Sequence, residues 1–210
     1  MKKIALSVLL AAAFVAAANA QESRQDISLG GTALIEPFKA SSQDVDVHST
    51  TAYGGLLSYR FMITPTIALE ANYGITYQNK INYSGPSFQY PPGINVLTRN
   101  EELSGALVKS FVFKNFNPFV EGGPAGVIFL PIYNSGTKIL DAHQQTEVGF
   151  MYGAGFAYEV SPSFDVRVEY RGIVTKVPTF GVNNPVSNQD FSTNRWWNMS
   201  VPTVGVAYHF

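Results

Sequence analysis

The sequence predicts an all-β chain, an eight-stranded antiparallel up-and-down transmembrane β-barrel, and three observations lead there. Charged residues make up only 14% of the 210 residues, aromatics reach 13% and glycine occurs 18 times; an average soluble domain carries roughly 25% charged residues. No apolar run after Gln21 is long enough for a helical span, which needs about 20 residues. Small or polar residues instead alternate with large apolar ones at a period of two, the signature of a strand with two unlike faces.

The first residues are set aside before any fold reasoning. Lys2 and Lys3 precede an apolar run from Ile4 to Ala18, and Ala18-Asn19-Ala20 is a small-x-small cleavage site. This is the build of an export signal removed after Ala20. The expected domain organisation is therefore a signal peptide over 1–20 and one barrel domain over 21–210.

Between Thr51 and Ile63, Tyr53, Leu57, Tyr59, Phe61 and Ile63 share one face, and Ala52, Gly54, Ser58 and Arg60 the other. Thr64-Pro65-Thr66 turns the chain, and Leu69, Ala71, Tyr73, Ile75 and Tyr77 resume the pattern. The same hairpin design returns around Ser161-Pro162-Ser163: Phe150, Tyr152, Phe156 and Tyr158 precede the turn, and Phe164, Val166, Val168 and Tyr170 follow it. Filling the remaining intervals gives eight strands, roughly 25–37, 51–63, 67–79, 99–113, 118–130, 145–160, 164–176 and 196–210. The fourth and fifth are the least regular, because Lys109 interrupts a face and Pro124 lacks a ladder donor. Short connections (64–66, 114–117, 161–163) alternate with long ones rich in Gly, Pro, Ser and Asn (38–50, 80–98, 131–144, 177–195), the arrangement of a barrel with tight turns at one membrane face and loops at the other.

An eight-stranded barrel has an interior just wide enough to be filled by side chains. The bulky face must then point outward to lipid, with Gly54, Ser58, Gly74, Gly153, Gly155, Ala157, Gly205 and Ala207 inside. The same face carries Glu36, Arg60, Glu70, Glu121, Glu159, Arg167, Glu169 and Arg171. Buried charges persist only when paired, so these residues are expected to form an ionic network that plugs the lumen. The alternative for them is a proton or ion path.

At the end of the chain Val204, Val206, Tyr208 and Phe210 share the outward face. An export signal, eight alternating strands and a final Phe on an aromatic-rich strand resemble the small outer-membrane β-barrels of Gram-negative bacteria, similar to the OmpA transmembrane domain and to OmpX-like proteins. The resemblance covers residues 25–210 as a pattern. It implies a location in the bacterial outer membrane, contact with outer-membrane lipids and lipopolysaccharide, and a C-terminal strand whose Tyr208 and Phe210 form the signal read by the barrel-assembly machinery.

Two aromatic girdles are expected, one from Tyr59, Phe61, Phe111, Phe113, Phe116, Phe164, Tyr208 and Phe210 at the turn end, the other from Tyr53, Tyr77, Tyr83, Trp196 and Trp197 at the loop end. Chemistry-bearing clusters are sparse. His48 with Ser49 and Asp44 or Asp46 is the local candidate for lipid-modifying catalysis, and it is outweighed by ordinary loop chemistry. No metal-ligand spacing or phosphate-cradling loop occurs, and no cofactor is expected. A net charge of −1 and zero cysteines exclude nucleic-acid binding by a basic face and thiol chemistry. The sequence thus supports a monomeric, non-enzymatic outer-membrane barrel with a structural or adhesin-like role, its loops facing an extracellular partner. A narrow pore or hydrophobic-solute transporter of the OmpW sort is the runner-up.

Overall fold

The computed structural model describes residues 24–35, 40–41, 46–84, 94–132, 142–181 and 195–210. Ten strands occur among them: β1 (Gln25–Leu34), β2 (Ala40–Ser41), β3 (Asp46–Ser49), β4 (Ala52–Thr64), β5 (Ile67–Ser84), β6 (Ile94–Ser110), β7 (Phe116–Pro131), β8 (Gln145–Ser161), β9 (Phe164–Lys176) and β10 (Trp196–His209). Eight of them form a closed antiparallel ring in the order β1, β4, β5, β6, β7, β8, β9, β10 and back to β1. The predicted fold class is the observed one. β3 lies against the outer end of β5 and β2 against β3, so part of the expected 38–50 loop is sheet, and most of the expected 80–98 loop is the extended β5–β6 hairpin.

Alternation sets the two faces. Leu29, Tyr53, Leu57, Tyr59, Leu69, Tyr73, Leu103, Leu107, Val148, Phe150, Tyr170 and Val206 are exposed on the outer wall, while Arg60, Glu70, Asn72, Glu121 and Arg171 are buried inside. A sheet that presents its large apolar side chains outward and its charges inward is built for hydrocarbon, not water.

Two loop-end aromatics depart from the expected girdle. Tyr83 and Trp197 are both buried and point into the barrel mouth. For Trp197 the cause is alternation: adjacent residues face opposite sides, and its neighbour Trp196 takes the outer side at 56% exposure. For Tyr83 the cause is a bulge. The β5–β6 register shifts between Thr76 and Asn79, and Gln78 adopts φ 62°, a left-handed conformation that non-glycine residues seldom take. One extra residue inverts the phase, so Asn79, Ile81 and Tyr83 turn inward above it.

The irregular strands also resolve. β6 runs from Ile94 to Ser110, and Phe111, Val112 and Phe113 belong to an exposed turn. Lys109 faces outward at the turn end, where its ammonium donates to Thr66 Oγ1 at 2.8 Å. Pro124 also faces outward, and the β6–β7 ladder skips from Ser104–Ala125 to Leu107–Gly122 without losing register. The strands crowd together in that gap: a Cβ on Gly123 would sit 2.1 Å from the Gly105 carbonyl oxygen.

Gly123→Val is therefore expected to lower the unfolding midpoint of the detergent-folded protein in urea, whereas Gly31→Ala, where a Cβ meets nothing within 4 Å, leaves it nearly unchanged. On the outer wall, Leu57→Arg should destabilise by about 2–4 kcal/mol if its level is near the bilayer midplane, measured by the same denaturation.

Candidate functional site

The interior is organised in layers along the barrel axis. At mid-height β1, β4, β5, β6, β7 and β9 deliver the charged side chains, each on the inward beat of its strand. Arg60 and Glu70 are cross-strand partners in the β4–β5 register. Arg60 Nε donates to Glu70 Oε2 at 2.6 Å. Arg167 Nη1 lies 3.6 Å from the same carboxylate oxygen, and Arg167 also donates to Asp26 Oδ1 at 3.0 Å and Ser28 Oγ at 3.2 Å. The Phe119 ring is the shelf for both cations, with the Arg60 guanidinium carbon 4.7 Å and that of Arg167 5.9 Å from its centroid. Cation–π contact of this kind gains strength when desolvated.

A second knot lies toward the loop end. Arg171 forms a bidentate pair with Glu102, at 2.7 and 3.2 Å, and its Nε is 3.5 Å from Glu169. Ser104 orients Glu102 by donating to its Oε1 at 2.8 Å. Planar fork-to-carboxylate pairing is the geometry in which a buried ion pair best offsets its desolvation. Glu121 is buried across Gly153, where a Cβ would meet its Oε1 at 2.5 Å; both its carboxylate oxygens make no hydrogen bond within the described residues.

Above the charges the lumen is apolar. Phe129, Phe180 and Trp197 pack with centroids 6.3 Å and 6.0 Å apart along the chain of contacts, and Tyr83 meets Phe180 edge-on at 6.4 Å. Tyr83 donates its hydroxyl to the Pro178 carbonyl at 2.6 Å. The 177–181 segment is held over the mouth by Gln145, whose Oε1 accepts from the amides of Thr179 at 2.8 Å and Phe180 at 2.7 Å. Phe180 and Gly181 both have positive φ, 56° and 66°, which turns the chain back and drives the Phe180 ring inward.

Among the residues expected in the lumen, Arg60, Glu70, Arg167, Glu169 and Arg171 meet in the ionic network, and Glu121 lies beside it. Glu159 is half-buried near the turn end without an ion pair among the described residues, and Glu36 lies outside the described residues. Sequence reading missed Asp26, Glu102, Phe119 and the whole apolar upper layer. Asp26 and Glu102 share the inward beat of β1 and β6, so alternation alone could have found them. The upper layer announces itself in runs such as Val127-Ile128-Phe129-Leu130, where both faces are apolar.

The loop candidate is divided between the two sides of β3: Asp46 and His48, two residues apart, share one side and Ser49 takes the other. Ser49 donates its hydroxyl to Asn79 Oδ1 at 2.8 Å, His48 is half-buried on β3 opposite Asn82, and Asp44 lies outside the described residues. At the chain end Tyr208 stacks between Phe164, at 5.1 Å, and Phe210, at 6.2 Å, and the Phe210 amide donates to the Gln25 carbonyl at 3.0 Å. The proposed assembly residues thus sit on the seam that closes the ring.

A family model described as outer membrane protein beta-barrel domain matches residues 6–210. Among solved structures the chain is similar to OprG from Pseudomonas aeruginosa (TM-score 0.63, 11% identity, 90% of this chain and 97% of that one). It is also similar to the N-terminal barrel of Pseudomonas aeruginosa OprF (TM-score 0.53, 14% identity, 90% and 100%) and to Neisserial surface protein A (TM-score 0.53, 14% identity, 90% and 98%). No curated protein sequence matches it.

Removing Glu70 leaves the buried Arg60 guanidinium without its carboxylate and takes one of two carboxylates from Arg167, which keeps Asp26. Glu70→Ala is accordingly expected to cost about 3–5 kcal/mol of stability, more than Glu159→Ala, as read from the temperature at which the folded and unfolded bands exchange in gel-shift melting. An unchanged melting temperature for Glu70→Ala would contradict the ion-pair geometry.

Proposed function

We propose, from the premise that this chain belongs to the family of outer membrane protein beta-barrel domains and resides in the bacterial outer membrane, that it is a plugged, non-enzymatic scaffold presenting its long loops to an extracellular partner. The observation that carries this reading is the filling of the lumen at two successive heights. The ionic network occupies the middle, and Tyr83, Phe129, Phe180 and Trp197 occupy the loop end. Both layers are packed side chains rather than bore, and a rigid barrel carrying long loops suits recognition. The loops contribute Phe88, Tyr90 and Phe191 with several Asn and Ser, amphipathic residues suited to saccharide contact.

The leader over 1–20 directs export and is cleaved after Ala20, the mature domain being 21–210. Lipopolysaccharide and lipid cover the outer wall, and the barrel-assembly machinery reads Tyr208 and Phe210. Ail of Yersinia pestis, a barrel of similar fold (TM-score 0.51, 14% identity), has been crystallised with the heparin analogue sucrose octasulfate; polyanionic sugars are on that account a reasonable first class of partner to screen.

One observation favours a second reading, a conduit for small apolar solutes. The β1–β10 ladder is continuous from Asp26–His209 to Thr32–Thr203 and resumes only at Ile35–Ser200, with Pro202 in the interval. A small cavity of about 30 Å³ lies behind that gap, lined in part by Leu34, Ile173, Met199 and Val201.

In planar bilayers the purified protein is expected to carry no sustained ion current, and a current lost on replacing Arg167 or Arg171 would favour a pore instead. Replacing residues 85–93 and 182–194 by Gly-Ser segments should leave the heat-modifiable barrel intact and abolish binding of expressing cells to a polysaccharide array. Binding that survives both replacements would remove the loops as the recognition surface.

A further inference from the structure

One sector of the outer wall carries hydrogen-bonding groups below the level of the loop-end girdle. On β8, β9 and β10 the outward beats stand in register, so the wall there reads as rows. Lys176 pairs with Trp196, Val174 with Phe150 and Asn198, and Gly172 with Tyr152 and Ser200. Lys176 and Trp196 form the row nearest the loops, and both are exposed. Two residues along a strand rise about 6.6 Å, which is about 5 Å along the axis at the tilt of such barrels. The Gly172 row therefore lies about 10 Å below Lys176.

Polar groups converge on Gly172. The Tyr152 ring lies over it, so close that a Cβ there would meet the ring Cζ at 2.3 Å and the hydroxyl at 2.6 Å. Tyr152 Oη accepts from Asn198 Nδ2 at 3.0 Å, and the hydroxyls of Tyr170 and Ser200 share a hydrogen bond at 2.6 Å. One hydroxyl proton is left over in each pair among the described residues. Tyr152 accepts without donating, and whichever of Tyr170 and Ser200 accepts keeps its own proton uncommitted. Both tyrosines open onto the membrane, at 42% and 48% exposure. A hydroxyl donor facing hydrocarbon is costly, and an acceptor at its depth relieves it.

The kind of lipid follows from the vertical order. Lys176 is a cation without an anionic partner among the described residues, whereas Arg99, also on the outer wall, is held by Glu101 at 2.7 Å. Beside it Trp196 offers an amphipathic ring at the interface, and the donors lie beneath. A glycerophospholipid gathers its ester carbonyls directly under the phosphate. A phosphorylated saccharolipid interposes sugar rings, then amide and ester carbonyls, then further oxygens at carbon 3 of its chains. That sequence of phosphate, sugar and deep acceptors matches the rows.

We propose that the β8–β10 wall holds one molecule of lipid A, the membrane anchor of lipopolysaccharide. Its phosphate lies on Lys176, a sugar ring against Trp196, and the oxygens at the base of its chains on the Tyr152 and Tyr170 hydroxyls. This site specifies the lipopolysaccharide contact proposed above and rests on it, while it is independent of whether the loops bind a partner.

Native mass spectrometry of the detergent-solubilised mature barrel tests it, with hexa-acylated diphosphoryl lipid A as probe and phosphatidylglycerol as the anionic lipid lacking sugar and chain hydroxyls. One saturable lipid A adduct is expected, at least about tenfold weaker in Lys176→Gln. Tyr152→Phe, which removes only a hydroxyl, should weaken it by about three- to tenfold. Lys80→Gln and Tyr73→Phe, on β5 at the far side of the ring, should bind as the parent does. Lipid A affinity unchanged in Lys176→Gln or in Tyr152→Phe, or lowered as much by Lys80→Gln, would overturn the site and leave a general lipid contact standing. Absence of saturable lipid A binding, or equal binding of phosphatidylglycerol, would overturn the lipopolysaccharide contact as well.

Discussion

Within hydrocarbon no water is available to receive a free N–H or C=O, and a sheet survives there only if its first and last strands meet. That single demand organises this molecule. β1 accepts β10 on one side and β4 on the other, and the terminal Phe210 amide bonds back to Gln25, so the two ends of the barrel sequence complete one another's ladder. Once the ring is closed with eight strands, its bore is fixed at about the width of facing side chains, and everything inside must fit that width.

The fit is achieved by unlike means at different heights. Where the strands bring glycine and alanine inward, the released space is taken by arginine and glutamate arms that pair across the bore; the Gly153–Glu121 contact shows the exchange at one level. Nearer the loops the inward residues are themselves large, and Phe129, Trp197 and Phe180 fill the section without charge. At the turn end Phe119 bounds the charged level from the other side, an apolar face that two guanidinium groups cover. A polar network in this setting holds fixed partners: each carboxylate that served a different arginine would leave another buried charge alone, which disfavours alternative packings of the same strands.

Much of this was legible in the sequence because a period of two is easy to read when one side is lipid. Tyr53 to Ile63 and Phe150 to Tyr158 declared their faces without ambiguity, and Arg60, Glu70, Arg167 and Arg171 followed by parity. Legibility failed where parity itself breaks or where both sides are apolar. Gln78 carries no sequence mark of a bulge, being neither glycine nor asparagine, so parity alone sends Tyr83 to the wrong side. Trp196 and Trp197 look alike as girdle residues, yet neighbours on a strand cannot share a face. The pairing inside the lumen was out of reach for another reason: parity says which side chains enter the bore, while register and depth decide which of them touch, and Glu102 finds Arg171 only through the closure of the ring.

The bulge at Gln78 divides β5 into two lengths that obey opposite parity. Below it the strand is accountable to the membrane, and above it to the packed mouth. Flattening the bulge with every residue kept would leave the lower wall in place while exchanging the sides of everything beyond, bringing Lys80 and Asn82 inward and sending Tyr83 out, whereas deletion of Gln78 would keep Tyr83 inward. The outer rim can therefore be inherited and reshaped as a separate storey, provided that the parity set at that joint is kept.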